Sequence, residues 1–172
     1  MILVSQGHEK GIGLEVLLKA LILAPVQWLH QTTLFANRST VAKHIETLRL
    51  PLAIDSDGIH FPQGLVRCVW IKGSTKLPQS TQCLQEALET TELVSSPVLF
   101  TLPTTKDDLR DPTKPTKRFL GHTEYLRAHF KTPELGMFFT ADDLHVLLVS
   151  DHVRLSNLSK ICLLYTSPSP RD

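Results

Sequence analysis

The sequence predicts an α/β fold, and three observations carry that expectation. Short apolar runs recur along the chain: Ile2-Leu-Val-Ser5, Leu65 to Ile71 and Pro97-Val-Leu-Phe100. Between them lie segments whose apolar residues repeat at helical spacing. Finally, polar stretches that can carry chemistry follow the carboxyl ends of the apolar runs, the edge at which open α/β sheets bind ligands.

Taken in order, Ile2 to Ser5 reads as a buried strand closed by Gly7. Gly11-Ile-Gly13 leads into a helical run, Leu14 to Leu23, stopped near Pro25. Strand, glycine turn and helix let backbone amides face an anion. A tight turn that only packs helix on strand fits the same spacing equally well. Gln27 to Phe35 is ambiguous: a strand around Trp28-Leu-His30 or one over Thr32 to Phe35 would fit. Asn37 to Ser39 reads as a turn, and Thr40 to Leu48 as a helix capped by Ser39 with Val41, Ile45 and Leu48 inward. Leu50 to Trp70 carries turn signals at Asp55 to Gly58 and Pro62 to Gly64, so brief strands are expected there, an excursion from the main sheet. Gly73 to Pro78 is a loop. Ser80 to Leu93 is a helix with Cys83, Leu84, Ala87 and Leu88 inside, which makes Cys83 a core thiol. Pro97 to Phe100 is a second buried strand. Asp107 to Arg118 is a loop of mixed charge with two prolines. Thr123 caps a helix to Phe130 and Glu124 lies in its first turn. Pro133-Glu134 turns the chain, and Gly136 to Thr140 pairs with Leu144 to Val149 as a hairpin through Asp142-Asp143.

Composition narrows the function classes. A 172-residue chain with 42% apolar residues can bury a core and holds one domain, or one and part of another. A net charge of +1 provides no global field to recruit nucleic acid or membrane. Cys68, Cys83 and Cys162 have neither paired nor CxxC spacing, which points to a reducing compartment. No targeting peptide is evident. Val16 to Leu29 is interrupted by Lys19, Pro25 and Gln27 and is no membrane span. A soluble, cytoplasmic protein is expected, with no nucleic-acid or membrane partner. His44 and His60 read as surface or packing histidines.

Four motifs remain: Gly7 to Glu15 (Gly-x-x-x-Gly-Ile-Gly-x-Glu), Thr101-Leu-Pro-Thr-Thr-Lys106, Gly121-His-Thr-Glu124, and His152 just past a hydrophobic strand. A lone histidine before a helix, or a lone lysine after a strand, is usually a solvated polar residue. In this order and spacing, however, the set resembles the 4-hydroxythreonine-4-phosphate dehydrogenase family of vitamin B6 synthesis. The likeness runs over nearly all of the first 160 residues, roughly the N-terminal half of such an enzyme, and Gly-His-Thr-Glu is its most specific element. One departure stands out. The family's acidic-Pro-Ala stretch between the glycines is His8-Glu9-Lys10 here.

The resemblance implies an isocitrate-dehydrogenase-like, two-domain α/β/α fold present only in part: residues 1–125 as an incomplete first lobe and 126–161 as the start of a second. It implies an oxidoreductase using NAD or NADP and a divalent metal (zinc, magnesium or cobalt) on a phosphorylated hydroxy-amino acid, and a homodimer. By the same resemblance His152 is the first of three metal-ligating histidines, the other two lying beyond this sequence. His122 and Thr123 match a substrate-contacting pair, and Lys106 is a cation near substrate phosphate or carboxylate. His145, inside the hairpin, is no substitute for His152. Another phosphorylated hydroxy acid, such as 4-phosphothreonate, or a non-catalytic metabolite-binding role stays open. The fragment alone is expected to be inactive.

Residues 162–172, Cys-Leu-Leu-Tyr-Thr-Ser-Pro-Ser-Pro-Arg-Asp, carry no periodic pattern and match the translation of a transposase sequencing adapter. The natural sequence is expected to stop near Lys160, with the tail set apart from fold reasoning.

Overall fold

The computed structural model describes residues 1–73, 76–132, 135–148, 154 and 156–157. The chain forms two compact units, Met1–His122 and Thr123–Asp172.

The first unit is built on a six-stranded sheet. Its strands are β1 (Ile2–Ser5), β2 (Thr32–Ala36), β3 (Ala53–Ile54), β4 (Gly58–Phe61), β5 (Gly64–Trp70) and β6 (Val98–Thr101), in the order β3-β4-β5-β2-β1-β6. β5, β2, β1 and β6 run parallel, while β3 and β4 add antiparallel at the β5 edge. The excursion expected over Leu50 to Trp70 is therefore part of the main sheet. Its turns are tight enough for Gly58 to lie where a Cβ would meet the Val66 carbonyl oxygen at 2.0 Å.

Helices α1 (Gly13–Leu23), α2 (Val26–Gln31), α3 (Arg38–Thr47) and α4 (Gln79–Thr91) connect the parallel strands. Strand alternation splits the core in two. Val4, Leu34 and Ala36 join Leu14, Leu18, Leu29, Val41 and Ile45 of α1, α2 and α3. Leu3 and Phe35 face the other way and meet Cys83 and Ala87 of α4. Burial pushes the Cys68 and Cys83 thiols up to about 12, so both stay protonated at neutral pH.

Several local expectations change. Trp28 to His30 is helical, not extended: Pro25 opens α2 with its φ fixed at −57°, Leu29 is its one buried anchor, and the Thr32 hydroxyl closes it on the Trp28 carbonyl at 2.7 Å. The strand option at Thr32 to Phe35 is the one realised. Asn37, not Ser39, caps α3; its Oδ1 accepts from the Thr40 N–H at 3.1 Å. β6 is not a buried strand. It is a sheet edge whose Val98 and Phe100 are 59% and 53% exposed, beside an apolar groove of about 470 Å³ that Ile2, Val4 and Trp28 also line.

After β6, residues 107–119 form an ordered arm rather than an open loop. Arg110 and Arg118 form an antiparallel bridge, and the Phe119 N–H donates to the Leu109 carbonyl at 2.8 Å. Leu109 and Phe119 are buried, Asp111 closes the tip by accepting from the N–H groups of Thr113 and Lys114, and Lys117 lies over the Phe119 ring.

Helix α5 (His122–Phe130) starts on the last residue of the first unit. It begins one residue earlier than expected, so Thr123 stands in its first turn rather than at its cap. The second unit also holds a hairpin of β7 (Phe138–Ala141) and β8 (Leu144–Leu147), with Ala141 opposite Leu144. Arg127 on α5 donates to the Leu135 carbonyl at 2.9 Å, which ties the helix to the hairpin's start. Pro133-Glu134, Val149 to His152 and residues 158–172, with the expected turn, His152, Cys162 and the tail, lie outside the described residues.

Candidate functional site

β1 and β6 are parallel neighbours, so the segments that follow them emerge at one edge of the sheet. The glycine turn and the Thr101-to-Lys106 segment meet there. A Cβ on Gly7 would sit 2.0 Å from the Pro103 carbonyl oxygen, and one on Gly13 would press on Leu102 and Pro103 at 3.1 Å. Both glycines are thus accounted for by close approach of the second segment. The His8 N–H seals the contact by donating to the Pro103 carbonyl at 3.0 Å.

Beneath this contact lies a polar network. Gln6 is fully buried; its Oε1 accepts from the Asn37 N–H at 2.8 Å and its Nε2 donates to Gln79 Oε1 at 3.1 Å. The Thr40 hydroxyl donates to the same Gln79 oxygen at 2.7 Å, and Asn37 Nδ2 donates to the Ile71 carbonyl at 3.1 Å. The network joins the ends of β1, β2 and β5 to the first turns of α3 and α4. Satisfied buried amides of this kind fix one geometry for the edge.

Lys106 lies in the turn Thr105–Asp108, which is closed by the Asp108 N–H donating to the Thr105 carbonyl at 3.1 Å. The lysine is exposed. Two anchors hold the turn. Thr81 and Ser80, in the first turn of α4, donate their hydroxyls to the Asp108 carbonyl, and Thr81 Oγ1 accepts from the Arg110 N–H at 3.1 Å. On the other side His8 Nε2 stands 3.6 Å from Asp108 Oδ2. His8, Glu9, Gln79, Ser80 and Asp108 line a polar cavity of about 190 Å³. Sequence reading did not single out Asp108, Thr81 or Gln79. The one available signal was a run of polar residues, Gln79 to Gln82, opening an amphipathic helix.

His122 and Thr123 stand together in the first turn of α5, with Glu124 in the same turn. Burial holds the His122 imidazole below the usual histidine range. The neutral ring can donate from one nitrogen and accept at the other. Among the described residues no hydrogen bond or ion pair joins Lys106 to His122, and no group of three or more His, Cys, Asp and Glu could hold a metal ion. His145 is engaged within the hairpin by the Thr140 hydroxyl at 2.8 Å. His60 is held by Asp55, and His44 by its own helix at Thr40, so neither histidine marks a site.

Residues 71–162, just over half the chain, match the family model described as pyridoxal phosphate biosynthetic protein PdxA. The chain belongs to this family. The matched span contains Lys106 and Gly121 to Glu124. Beyond the family match, the chain is 29% identical over 168 residues to a 4-hydroxythreonine-4-phosphate dehydrogenase of Helicobacter pylori strain J99, covering 93% of this chain and 52% of that one. Its fold is that of a crystal structure of a 4-hydroxythreonine-4-phosphate dehydrogenase from Burkholderia phymatum. The TM-score is 0.69 at 19% identity, over 92% of this chain and 52% of the other. The α/β architecture is thus shared with a PdxA-type structure, and the chain spans about half the length of the relatives it matches. No helix among the described residues is long and apolar enough to cross a membrane.

Proposed function

We propose that this chain is the first half of a cytoplasmic, homodimeric, metal-dependent NAD(P) dehydrogenase of pyridoxal 5'-phosphate (vitamin B6) biosynthesis. Its substrate is 4-phosphohydroxy-L-threonine. The secondary alcohol gives up a hydride to NAD(P)⁺ and a proton to solvent, and the resulting 3-oxo acid loses carbon dioxide. The observation that carries this reading is the family match across Gly121-His-Thr-Glu124 and Lys106.

The chain's own residues take the substrate's polar groups. The exposed Lys106 ammonium offers a point charge to phosphate or carboxylate. Neutral His122 and the Thr123 hydroxyl offer hydrogen bonds to phosphate or hydroxyl oxygens. His152 is assigned to a divalent ion (zinc, magnesium or cobalt) with ligands outside this sequence. When bound, such an ion supplies Lewis acidity toward the substrate hydroxyl and the ketone that follows.

The test is to recover the complete gene and measure NAD(P)H formation with 4-phosphohydroxy-L-threonine, with elemental analysis of the same preparation. His152→Ala should abolish metal content and turnover. Retention of stoichiometric metal in that variant, or full turnover by residues 1–160 alone, would overturn the assignment. A second reading is favoured by one observation: His8-Glu9-Lys10 stands where the family carries an acidic-Pro-Ala stretch. On that reading the substrate is a different phosphorylated hydroxy acid such as 4-phosphothreonate, and side-by-side turnover of both acids separates the two.

A further inference from the structure

His8 belongs to the departing part of the glycine turn, and its surroundings give it a defined job. The Lys10 N–H donates to His8 Nδ1 at 3.1 Å. A nitrogen that accepts a hydrogen bond carries no proton, so the neutral ring bears its proton on Nε2. That nitrogen stands 3.6 Å from Asp108 Oδ2. The carboxylate oxygen is buried and has no hydrogen-bond partner among the described residues. A buried acceptor without a donor is costly, and His8 Nε2 stands within ion-pair distance of it, just beyond hydrogen-bond length. Among the described residues the cavity is otherwise lined by Glu9, Pro78, Gln79 and Ser80, and His8 is the one imidazole there.

The pair acts on one element. Asp108 closes the Thr105–Asp108 turn, and Lys106 is carried inside that turn. The Asp108 carbonyl is pinned to α4 by Thr81 and Ser80, and its carboxylate faces the glycine turn through His8. The His8 N–H already grips Pro103 at the start of the same segment. The segment bearing Lys106 therefore meets His8 at both ends, once through a backbone hydrogen bond at Pro103 and once through the 3.6 Å side-chain contact at Asp108.

We infer that His8, acting through Asp108, is a positioning residue that sets where Lys106 presents its charge to the anionic group of the substrate. The inference rests on the Lys106 role given under Proposed function. His8 does not touch substrate. It limits the conformations of a turn whose lysine does, so its loss costs substrate binding rather than the reaction step.

Two measurements test it, and they fail separately. The first is a long-range proton–nitrogen imidazole spectrum of the chain and of its Asp108→Asn variant. Neutral His8 should carry its proton on Nε2, with its ring signals displaced in the variant. A proton on Nδ1, or ring signals indifferent to Asp108→Asn, would overturn the pairing whatever Lys106 does. The second is steady-state kinetics of the complete protein with 4-phosphohydroxy-L-threonine. His8→Ala and Asp108→Asn should each raise KM about tenfold and lower kcat far less. The double variant should be no worse than either single, and His8→Gln, which keeps an N–H donor, should recover most of the loss. Lys106→Ala is the parallel arm. If it leaves KM unchanged, the Lys106 assignment falls. If it raises KM while His8→Ala does not, the positioning role falls and the Lys106 assignment stands.

Discussion

At the scale of single residues, His122 ties burial to a measurable pH response. Its folded value lies below that of an unfolded histidine, so the unfolded chain binds more protons as the solution is acidified. Stability is unaffected well above about pH 6.5, the ordinary histidine value, and declines as pH falls below it. Wild-type chain should lose more thermal midpoint between neutral and mildly acidic pH than His122→Gln; equal losses would show that the ring is not desolvated on folding. On the substrate role proposed above, His122→Ala in the complete protein should weaken phosphorylated substrate about ten- to a hundredfold without changing metal content, the loss of a hydrogen bond to a charged group worth about 1.5–3 kcal/mol. Gly7 gives a sharper prediction. A methyl group there has nowhere to go except into the Pro103 carbonyl, so Gly7→Ala should cost about 2–3 kcal/mol in a urea melt. A neutral result would mean that the two segments separate freely.

At the scale of elements, Asn37 serves α3 as its cap and β5 through the Ile71 carbonyl. Asn37→Ala should lower unfolding free energy by about 1–2 kcal/mol, while Ser39→Ala, the cap suggested by periodicity, should cost less. The β3–β4 turn has its own signature. The hydrogen bond from His60, with the N–H groups of Asp57 and Gly58, lowers Asp55 to about 2. A depressed carboxylate contributes stability that is present above its unfolded value and lost as pH falls through the folded one, so this contribution fades between about pH 4 and 2. Asp55→Asn should flatten the acid limb of the stability curve in that window.

Long periodic segments and turn residues make most of the elements legible in the sequence. β1, α1, α4 and the β7–β8 hairpin fall close to where spacing places them. What spacing did not reveal is what tertiary packing decides. α2 has a single buried anchor, too little to produce a period, and its helix depends on Pro25 and Thr32 at its two ends. β6 reads as buried because all of Val98, Leu99 and Phe100 are apolar, yet only a neighbour in the sheet could have told which face is covered. The meeting of the glycine turn with Thr101 to Lys106 was legible from strand direction. Asp108 was not, because a carboxylate in a charged loop gives no sign that one of its oxygens is buried.

At the scale of the whole molecule, the apolar groove along β6 bears on solution behaviour. Trp28, Val98 and Phe100 are exposed beside a sheet edge that no strand pairs with among the described residues. Such a surface promotes association. Sedimentation of this chain should show concentration-dependent self-association, reduced by the pair Trp28→Gln and Phe100→Thr. A monodisperse monomer with a cooperative thermal transition across the same concentrations would refute this.

The sheet order also carries a schedule. Ile2 pairs with Thr32 on one side and with Val98 on the other. As the chain leaves the ribosome, β1 can join β2 once the α1–α2 connection has emerged, whereas its second flank must wait until nearly a hundred residues have emerged. Until then the Gly7 turn has no Pro103 to rest on, and Lys106 has no fixed place. The edge where the Gly7 turn meets Pro103 thus forms after the β1–β2 pairing, with only the 107–119 arm of this unit still to emerge. A pulse of deuterium on stalled nascent chains should find the β1–β2 ladder protected before the Gly7–Pro103 contact is.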